Sequence, residues 1–509
     1  MMDSTARTSN ESYRLAARAI PYTLILFLCA YWIRIADGDL FHLVASGRLT
    51  VRDGWPPRID PFAYTVTKPV WVDHEWLSAL IFYGVSQISG DLSLFMLTCM
   101  LGYLTILALL WAQNVYARTD SRCNPILFLS LFPCSFIWNS TIRPLTLSFF
   151  LFALLLALLE AYRRAGRRSL LCALPALFWI WGNAHGSFIV GLALLGITVV
   201  CQVVVQKGVG QGPLICAALA SFVAAFVTPF GWDFVEFIMD AAVMARPLMS
   251  EWSATRFNLS NLIFYGVGAL AFFVLGSGAR GRIPLEVRVF LVISFIAAVR
   301  HQRHIPYFLF TASVYLLASA QELEANLGPF LRARAESASR VCSGLMLGAA
   351  SLGAIQLGYF VLNMSAFKLD YSRQPVETVA WLSQNAEGGK ILVHFNHGSY
   401  VLLHGYPRFK VSLDARYEEV YPNKTFEGGL QALEPGSEHF ASAFEEARPD
   451  FILMCRDCSF LADWGRFSED WRNVFTGDGG RCAVFVRDPN LVTGSARPNT
   501  SDNSWKLNF

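Results

Sequence analysis

Residues 92–116, 187–206, 259–278 and 341–361 are runs of roughly 20 residues that carry almost no charge. A run of that length can form a helix that satisfies its own backbone polar groups and crosses the roughly 30 Å of hydrocarbon in a bilayer. The composition agrees: 54% of the residues are hydrophobic and only 16% charged, against about a quarter charged in an ordinary soluble domain. A typical water-soluble enzyme is excluded. The first apolar run begins near Ala19 behind Arg7, Arg14 and Arg18, which imitates a signal peptide. It continues into Trp32 and Arg34 with no small-residue cleavage site, so it reads as a retained span.

From a cytoplasmic N-terminus at 1–18, the pattern predicts about eleven spans, near 19–36, 92–116, 125–139, 145–161, 170–182, 187–206, 212–228, 259–278, 285–300, 305–321 and 341–361. This places Arg118, Arg122, Arg163, Arg164, Arg167, Arg168, Lys207, Arg280, Arg282, Arg332, Arg334 and Arg340 on the cytoplasmic side, as the positive-inside bias requires. The net charge of +3 says little, because the distribution of Lys and Arg matters more than their sum. "HEWLSALIFYGVSQISG", residues 74–90, is apolar for only about fifteen residues, and counting it as a span would move "RRAGRR" outside. It is expected to lie along the outer interface as an amphipathic helix. The expected architecture is an α-helical polytopic membrane domain at 19–365, with a first outer loop at 37–91. After it come a small α/β domain at 366–490 outside the membrane and a disordered end at 491–509.

On this topology the unusual polar residues collect on the outer face. Asp37, Asp39 and His42, then Asp73, His74 and Glu75, fall in the first loop; Arg143 follows the third span, Asn183 and His185 the fifth, Glu251 the seventh. "RHQRH", with Arg300, His301, Arg303 and His304, follows the ninth. Together they are expected to surround one cavity. Arginines on this side run against the positive-inside bias, which suits an anionic ligand such as a lipid phosphate. On a helix over 39–50, Asp39 and His42 face one side and Asp37 stands at the N-terminus. A capped interfacial helix explains that pattern, and so does a carboxylate placed to take a proton from an acceptor or an Asp-x-Asp pair holding Mg or Mn. For "WVDHEWL" the plain alternative is an aromatic anchor, for Arg143 a snorkelling side chain, and for "GNAHGSF" a helix-breaking turn.

In the tail, "KILVHF" (390–395), "FKVSLD" (409–414), "DFILMC" (450–455) and "RCAVFV" (481–486) read as strands, with helices around 375–385, 437–447 and 467–473. His394, His397 and His404 match no strong zinc signature, which favours packing or surface roles. Eight of the eleven cysteines lie in or near apolar segments. Of the other three, Cys482 is expected to pair with Cys455 or Cys458.

The order "DGDLFHLVASGR", then "DGWPP" (53–57), then "DHEWLSALIFY" opening a juxtamembrane helix before the second span, resembles the GT-C superfamily of integral membrane glycosyltransferases. That superfamily includes protein O-mannosyltransferases, lipid A aminoarabinose transferases and the oligosaccharyltransferase catalytic subunit. The fuller string, with "GWPPRIDPFAYT", "RP", "NAHGSF" and "TPFGW", also looks like a widespread group of bacterial membrane glycosyltransferase-like proteins. The layout covers about residues 20–310, and the motifs cover 37–80. The resemblance implies a polyprenyl-phosphate-linked sugar donor, a glycan, lipid or protein acceptor outside a bacterial plasma membrane, and inversion at the anomeric carbon. By position Asp37 best matches the superfamily's catalytic acidic residue, with Asp39 its close competitor, and Arg143 with the 300–304 cluster stands where such enzymes stabilise the leaving phosphate. The lipid A aminoarabinose transferases carry a proline pair before the juxtamembrane helix where this chain has "HEW". Membrane lipids are the other expected partners, and no nucleic acid is. Two further readings stay open on the sequence: a flippase for a lipid-linked glycan, and a non-catalytic envelope assembly protein.

Overall fold

The computed structural model describes residues 2–117, 124–138, 142–205, 211–244, 249–325, 329–431, 448–455 and 471–493. Arg118, Arg122, Lys207, Cys458 and the helix expected at 437–447 lie outside them. The chain divides into two compact units, Met1–Ile35 with Val85–Leu369, and Ala36–Gly84 with Asp370–Phe509. The first outer loop therefore shares a unit with the tail.

The Val85–Leu369 unit is helical, and every expected span falls on a helix. After α1 (Met2–Trp32) come α4 (Asp91–Ala117), α5 (Pro125–Trp138), α6 (Leu145–Ala165), α7 (Ala173–Ala184), α8 (Phe188–Val200), α9 (Gly212–Ala225) and α10 (Trp232–Val243). Then follow α11 (Leu262–Gly276), α12 (Leu285–Arg300), α13 (Ile305–Ala325) and α14 (Pro329–Leu362). Five described stretches, Tyr13–Trp32, Asp91–Ala117, Leu145–Arg164, Leu259–Gly276 and Arg332–Leu362, are long and apolar enough by themselves to cross a membrane. α7, at 12 residues, rises only about 18 Å, so eleven full crossings do not follow from helix length alone. α1 and α14 approach closely: a Cβ on Gly353 would stand 2.2 Å from the Leu24 carbonyl oxygen. Phe27, Phe95 and Phe360 meet edge-on or tilted beside that crossing. Part of "RRAGRR" is tied into the bundle, because buried Glu160 takes Arg163 at 2.9 Å, Arg164 at 3.1 Å and the Tyr315 hydroxyl at 3.1 Å. A buried carboxylate persists when paired and hydrogen-bonded in this way.

In the other unit five strands, β1 (Gly389–Val393), β2 (Phe409–Val411), β3 (Phe451–Cys455), β4 (Arg472–Gly477) and β5 (Cys482–Val486), form a sheet in the order β2-β1-β3-β5-β4. β1 runs parallel to β2 and β3; β5 is antiparallel to β3 and β4. α15 (Val376–Asn385) precedes β1, and α16 (Phe395–Gly405) supplies the crossover that a parallel β1–β2 pair requires. The four expected strands are present. The expected helix at 467–473 is corrected where it is described: Trp471 precedes and Arg472–Gly477 forms β4. The reason lies downstream, where Asp478, Gly479 and Gly480 adopt positive φ (57°, 68° and 79°) and turn the chain into an antiparallel hairpin. Cys455 and Cys482 are register partners across β3 and β5 and are joined by a disulfide, one of the two pairings expected.

The loop segment adds to this sheet. Ala63 bridges Val411, the Tyr64 amide donates to the Val411 carbonyl at 3.1 Å, and the Val411 amide donates to Phe62 at 3.0 Å. The open edge of β2 is thereby covered. α2 (Gly38–Asp53) packs on α16 through Phe41 and Tyr400, and α3 (Trp76–Ser89) follows as the sequence predicts. The tail histidines act locally: His394 caps α16, accepting the Asn396 amide, and the His404 ring lies tilted against the Tyr400 ring with centroids 4.4 Å apart.

Candidate functional site

Asp37 caps α2, its backbone extended and its carboxylate accepting the Leu40 amide at 3.4 Å. Asp39 lies in the first turn. His42 is buried one turn on, and its Nδ1–H donates to the Gly38 carbonyl at 3.2 Å. Burial holds the His42 imidazole below its usual pKa, against the pull of Glu419 and Asp414, so it is neutral at pH 7.

The "DHE" segment meets the same surroundings. Asp73 is buried, accepts a short hydrogen bond from the Ser46 hydroxyl of α2, and accepts the Glu75 amide at 3.2 Å. His74 Nδ1 stands 2.6 Å from Oε1 of Glu419, and its Nε2 is 3.7 Å from Oε1 of Glu75. The other oxygen of Glu419 accepts the Trp71 indole N–H at 3.0 Å. Burial pushes Asp73 up to about 7 and Glu75 up to about 8, with the Glu419 charge adding to both. Burial alone would lower His74, but the Glu419 carboxylate overrides it and raises the imidazole to about 9. Glu419, paired with His74, is held below the ordinary carboxylate range despite its burial. Asp39 lies within electrostatic reach of Glu75 and makes its ionisation costlier. At neutral pH the cluster therefore holds one cation, one fixed anion and a Glu75 carboxyl that keeps its proton. Groups titrating near the working pH are those that exchange protons well in catalysis.

A second network holds this one. Fully buried Arg416 binds Asp414 with two bonds of 2.8 and 2.7 Å and Asp60 with one of 2.6 Å. Its guanidinium lies 4.9 Å from the Phe62 ring and 4.6 Å from that of Trp71. Tyr421 donates its hydroxyl to Asp414 at 2.6 Å. Glu419, Asp414, Arg416 and Asp60 were not among the residues singled out from the sequence. The visible signal was "SLDARYEEV" at 412–420, four charged side chains in six residues at the end of a strand.

The helical unit has its own grouping. Arg143 pairs with Glu251 at 3.1 Å, and Arg303 reaches the other oxygen of Glu251 at 3.9 Å while lying 4.3 Å over the Trp252 ring. His301 Nδ1 donates to the Trp252 carbonyl at 2.5 Å, and Gln302 bonds Ser253 through backbone and side chain. His304 is lowered to about 4 by burial and by Arg303 and His301, so it is neutral. His185 Nδ1 accepts the Ser187 amide at 3.0 Å, which leaves the proton of the neutral ring on Nε2. The structure thus brings Arg143, Glu251 and Arg303 together. Arg300 is exposed at the end of α12, and among the described residues no hydrogen bond or ion pair joins it to them.

For the divalent cation expected at Asp37 and Asp39, the donor set does not fit: among the described residues no three His, Cys, Asp or Glu side chains gather as a metal site. One Asp37 oxygen is also engaged as a helix cap.

No family model matches the chain, and no curated protein matches it in sequence. Solved structures do match in fold. The Archaeoglobus fulgidus oligosaccharyltransferase AglB, in complex with an inhibitory peptide and a dolichol-phosphate, superposes with a TM-score of 0.58 at 12% identity, over 94% of this chain and 75% of that one. ArnT from Cupriavidus metallidurans bound to undecaprenyl phosphate gives 0.55 at 14% identity, over 94% and 98%. The fold is GT-C. An apo oligosaccharyltransferase from A. fulgidus shares the GT-C fold as well, at 0.55 and 11% identity, over 85% and 69%.

Proposed function

We propose that this protein is a membrane glycosyltransferase that moves a sugar from a polyprenyl-phosphate-type lipid to an acceptor on the outer face of a bacterial plasma membrane. The observation that carries the reading is the fold, which in ArnT accompanies bound undecaprenyl phosphate and in AglB a dolichol-phosphate. Displacing a lipid phosphate from an anomeric carbon builds negative charge on the leaving oxygens while the acceptor loses a proton. The reaction therefore calls for cations at one end and a carboxylate at the other. Asp37 or Asp39 serves as the general base, aided by His42, Asp73, His74 and Glu75. Arg143 and Arg303 serve the phosphate, together with Arg300, His185 and His304, with Glu251 restraining the two paired guanidiniums. Inversion follows from a single displacement. The Cys455–Cys482 disulfide supports an oxidising, extracytoplasmic location for the tail, with the N-terminus inside.

The test is transfer by purified protein from a synthetic polyprenyl-phosphate sugar, guided by mass spectrometry of envelope glycans from a deletion strain. Asp37→Asn or Asp39→Asn is expected to lower the rate by roughly 10²-fold or more while insertion is kept. Full activity in both variants removes the assignment of the base, and movement of the lipid-linked glycan across the membrane with no new glycosidic bond replaces the enzyme by a flippase.

A further inference from the structure

The Asp73–His74–Glu75 segment and Glu419 stand 344 to 346 positions apart in the numbering, yet they form one buried hydrogen-bonded cluster. Glu419 is engaged from both oxygens: Oε2 takes the Trp71 indole N–H and Oε1 takes His74 Nδ1. Trp71 and His74 flank Asp73, so a single carboxylate grips this short segment at two points. His74 then presents Nε2 toward Glu75, the carboxyl within electrostatic reach of Asp39. Resting on the proposed transfer reaction, we infer that Glu419 is a positioning residue, which clamps Trp71 and His74 and through His74 orients Glu75 beside the acidic start of α2. The tail is accordingly a working part of the acid–base site.

Charge balance states what the clamp does. His74 faces Glu419, Glu75 and Glu418; Glu75 faces His74, Glu419, Asp39 and Asp73; Glu419 faces His74 and His42. With Glu419 ionised, His74 is a cation that donates from both ring nitrogens, and its Nε2–H is available to Glu75. Without the Glu419 charge, burial dominates at His74 and the ring becomes neutral, with one N–H to give. Glu75 then loses the attraction of His74, which outweighs the repulsion it loses from Glu419, so it holds its proton more tightly. Asp73 changes the other way, because for it the repulsion of Glu419 outweighs the attraction of His74.

The experiment compares the full-length wild type with Glu419→Gln, Glu419→Asp and Trp71→Phe, all in detergent or nanodiscs. The first readout is the His74 titration, followed by NMR of protein labelled with ¹³C-histidine and assigned with His74→Gln. In the wild type the midpoint is expected at about 9; in Glu419→Gln it falls below the ordinary 6.5, and Glu419→Asp restores most of the rise. The second readout is the pH–rate profile with kcat and KM resolved. Glu419→Gln is expected to lower kcat by roughly tenfold or more with the KM for the lipid donor within about twofold, and to reshape the profile between pH 6 and 9, roughly. Trp71→Phe, which deletes the indole donor together with part of the ring packed against Arg416, produces a smaller fall of the same kind.

An unchanged His74 midpoint and profile in Glu419→Gln overturns the inference. So does an activity loss that simply tracks the folded fraction in all three variants, with no pH change. If the wild type transfers no sugar at all, the proposed function falls, and the His74 titration still decides whether Glu419 holds the segment.

Discussion

Replacing Arg416 by methionine isolates the network that joins the first loop to the tail. In the folded protein this guanidinium makes three short bonds to two carboxylates, and none of the three side chains is exposed to solvent. Methionine keeps apolar contact with Phe62 and Trp71 but removes the only charge that balances Asp60 and Asp414 across these bonds. Asp414 retains the Tyr421 hydroxyl, and Asp60 retains the Phe62 and Ala63 amides. What is lost is the counter-charge, and breaking a buried pair from one side costs about 3–5 kcal/mol. At roughly 2–4 °C per kcal/mol for a domain of this size, the melting temperature of the Ala36–Gly84 and Asp370–Phe509 unit falls by about 6–20 °C. Asp60→Asn added to Arg416→Met removes one stranded charge and recovers part of the loss. Asp414 is buried, yet Arg416 holds it below the ordinary 3.8. Its share of the stability is therefore present above that value and lost as the pH falls through the lower folded value. Differential scanning fluorimetry gives the shift, and peptide-resolved hydrogen exchange over 58–76 and 409–421 locates it. A melting point within about 2 °C of wild type, with unchanged exchange in both segments, refutes the claim that this network holds the loop to the tail.

The pH dependence of the same unit has a definite sign. Asp73 and Glu75 are raised to about 7 and 8, so above about pH 4.5 the unfolded chain sheds protons that the folded chain keeps, and stability declines until the folded groups ionise. His74, raised to about 9, adds stability below 6.5 that is lost as the pH rises through 9. The melting temperature is therefore expected to fall steadily between pH 5 and 9, roughly, and a flat or rising curve contradicts the cluster as described. In the helical unit Glu251 part-neutralises Arg143 and Arg303, so Glu251→Gln is expected to tighten binding of undecaprenyl phosphate by about fivefold at low salt, fading as salt rises. Isothermal titration with the lipid phosphate measures this, and weaker binding in the variant removes these arginines from the phosphate role.

The helices were legible because an apolar run is a local signal. Each expected span falls on one, and the amphipathic stretch after Glu75 became α3. Their length was less legible: α7 and α8 are separated at His185, where the extended backbone ends α7, so that sequence runs of similar hydropathy give helices of unequal reach. In the tail the strands were found through alternation and β-branched content, while β4 was missed because "DWRNVF" lacks an apolar run. The sequence placed Asp73, His74 and Glu75 together, since they are adjacent. It could not supply Glu419 or Arg416, whose partners are distant in the chain and chosen by tertiary burial. Charge density at 414–419 was visible, but the choice between a solvated face and a buried network depends on what packs over it.

The loop–tail unit is assembled from two pieces of chain separated by the whole of Val85–Leu369. At roughly 5–20 residues synthesised per second, the segment bearing Trp71 and Asp60 emerges on the order of tens of seconds before Arg416 and Glu419 exist to meet it. During that interval a tryptophan and several carboxylates destined for burial are without their partners, the condition in which a chaperone binds a chain. Ribosome-bound intermediates truncated ahead of residue 409 should accordingly be sensitive to protease within 58–76, and become resistant once the chain passes about 431.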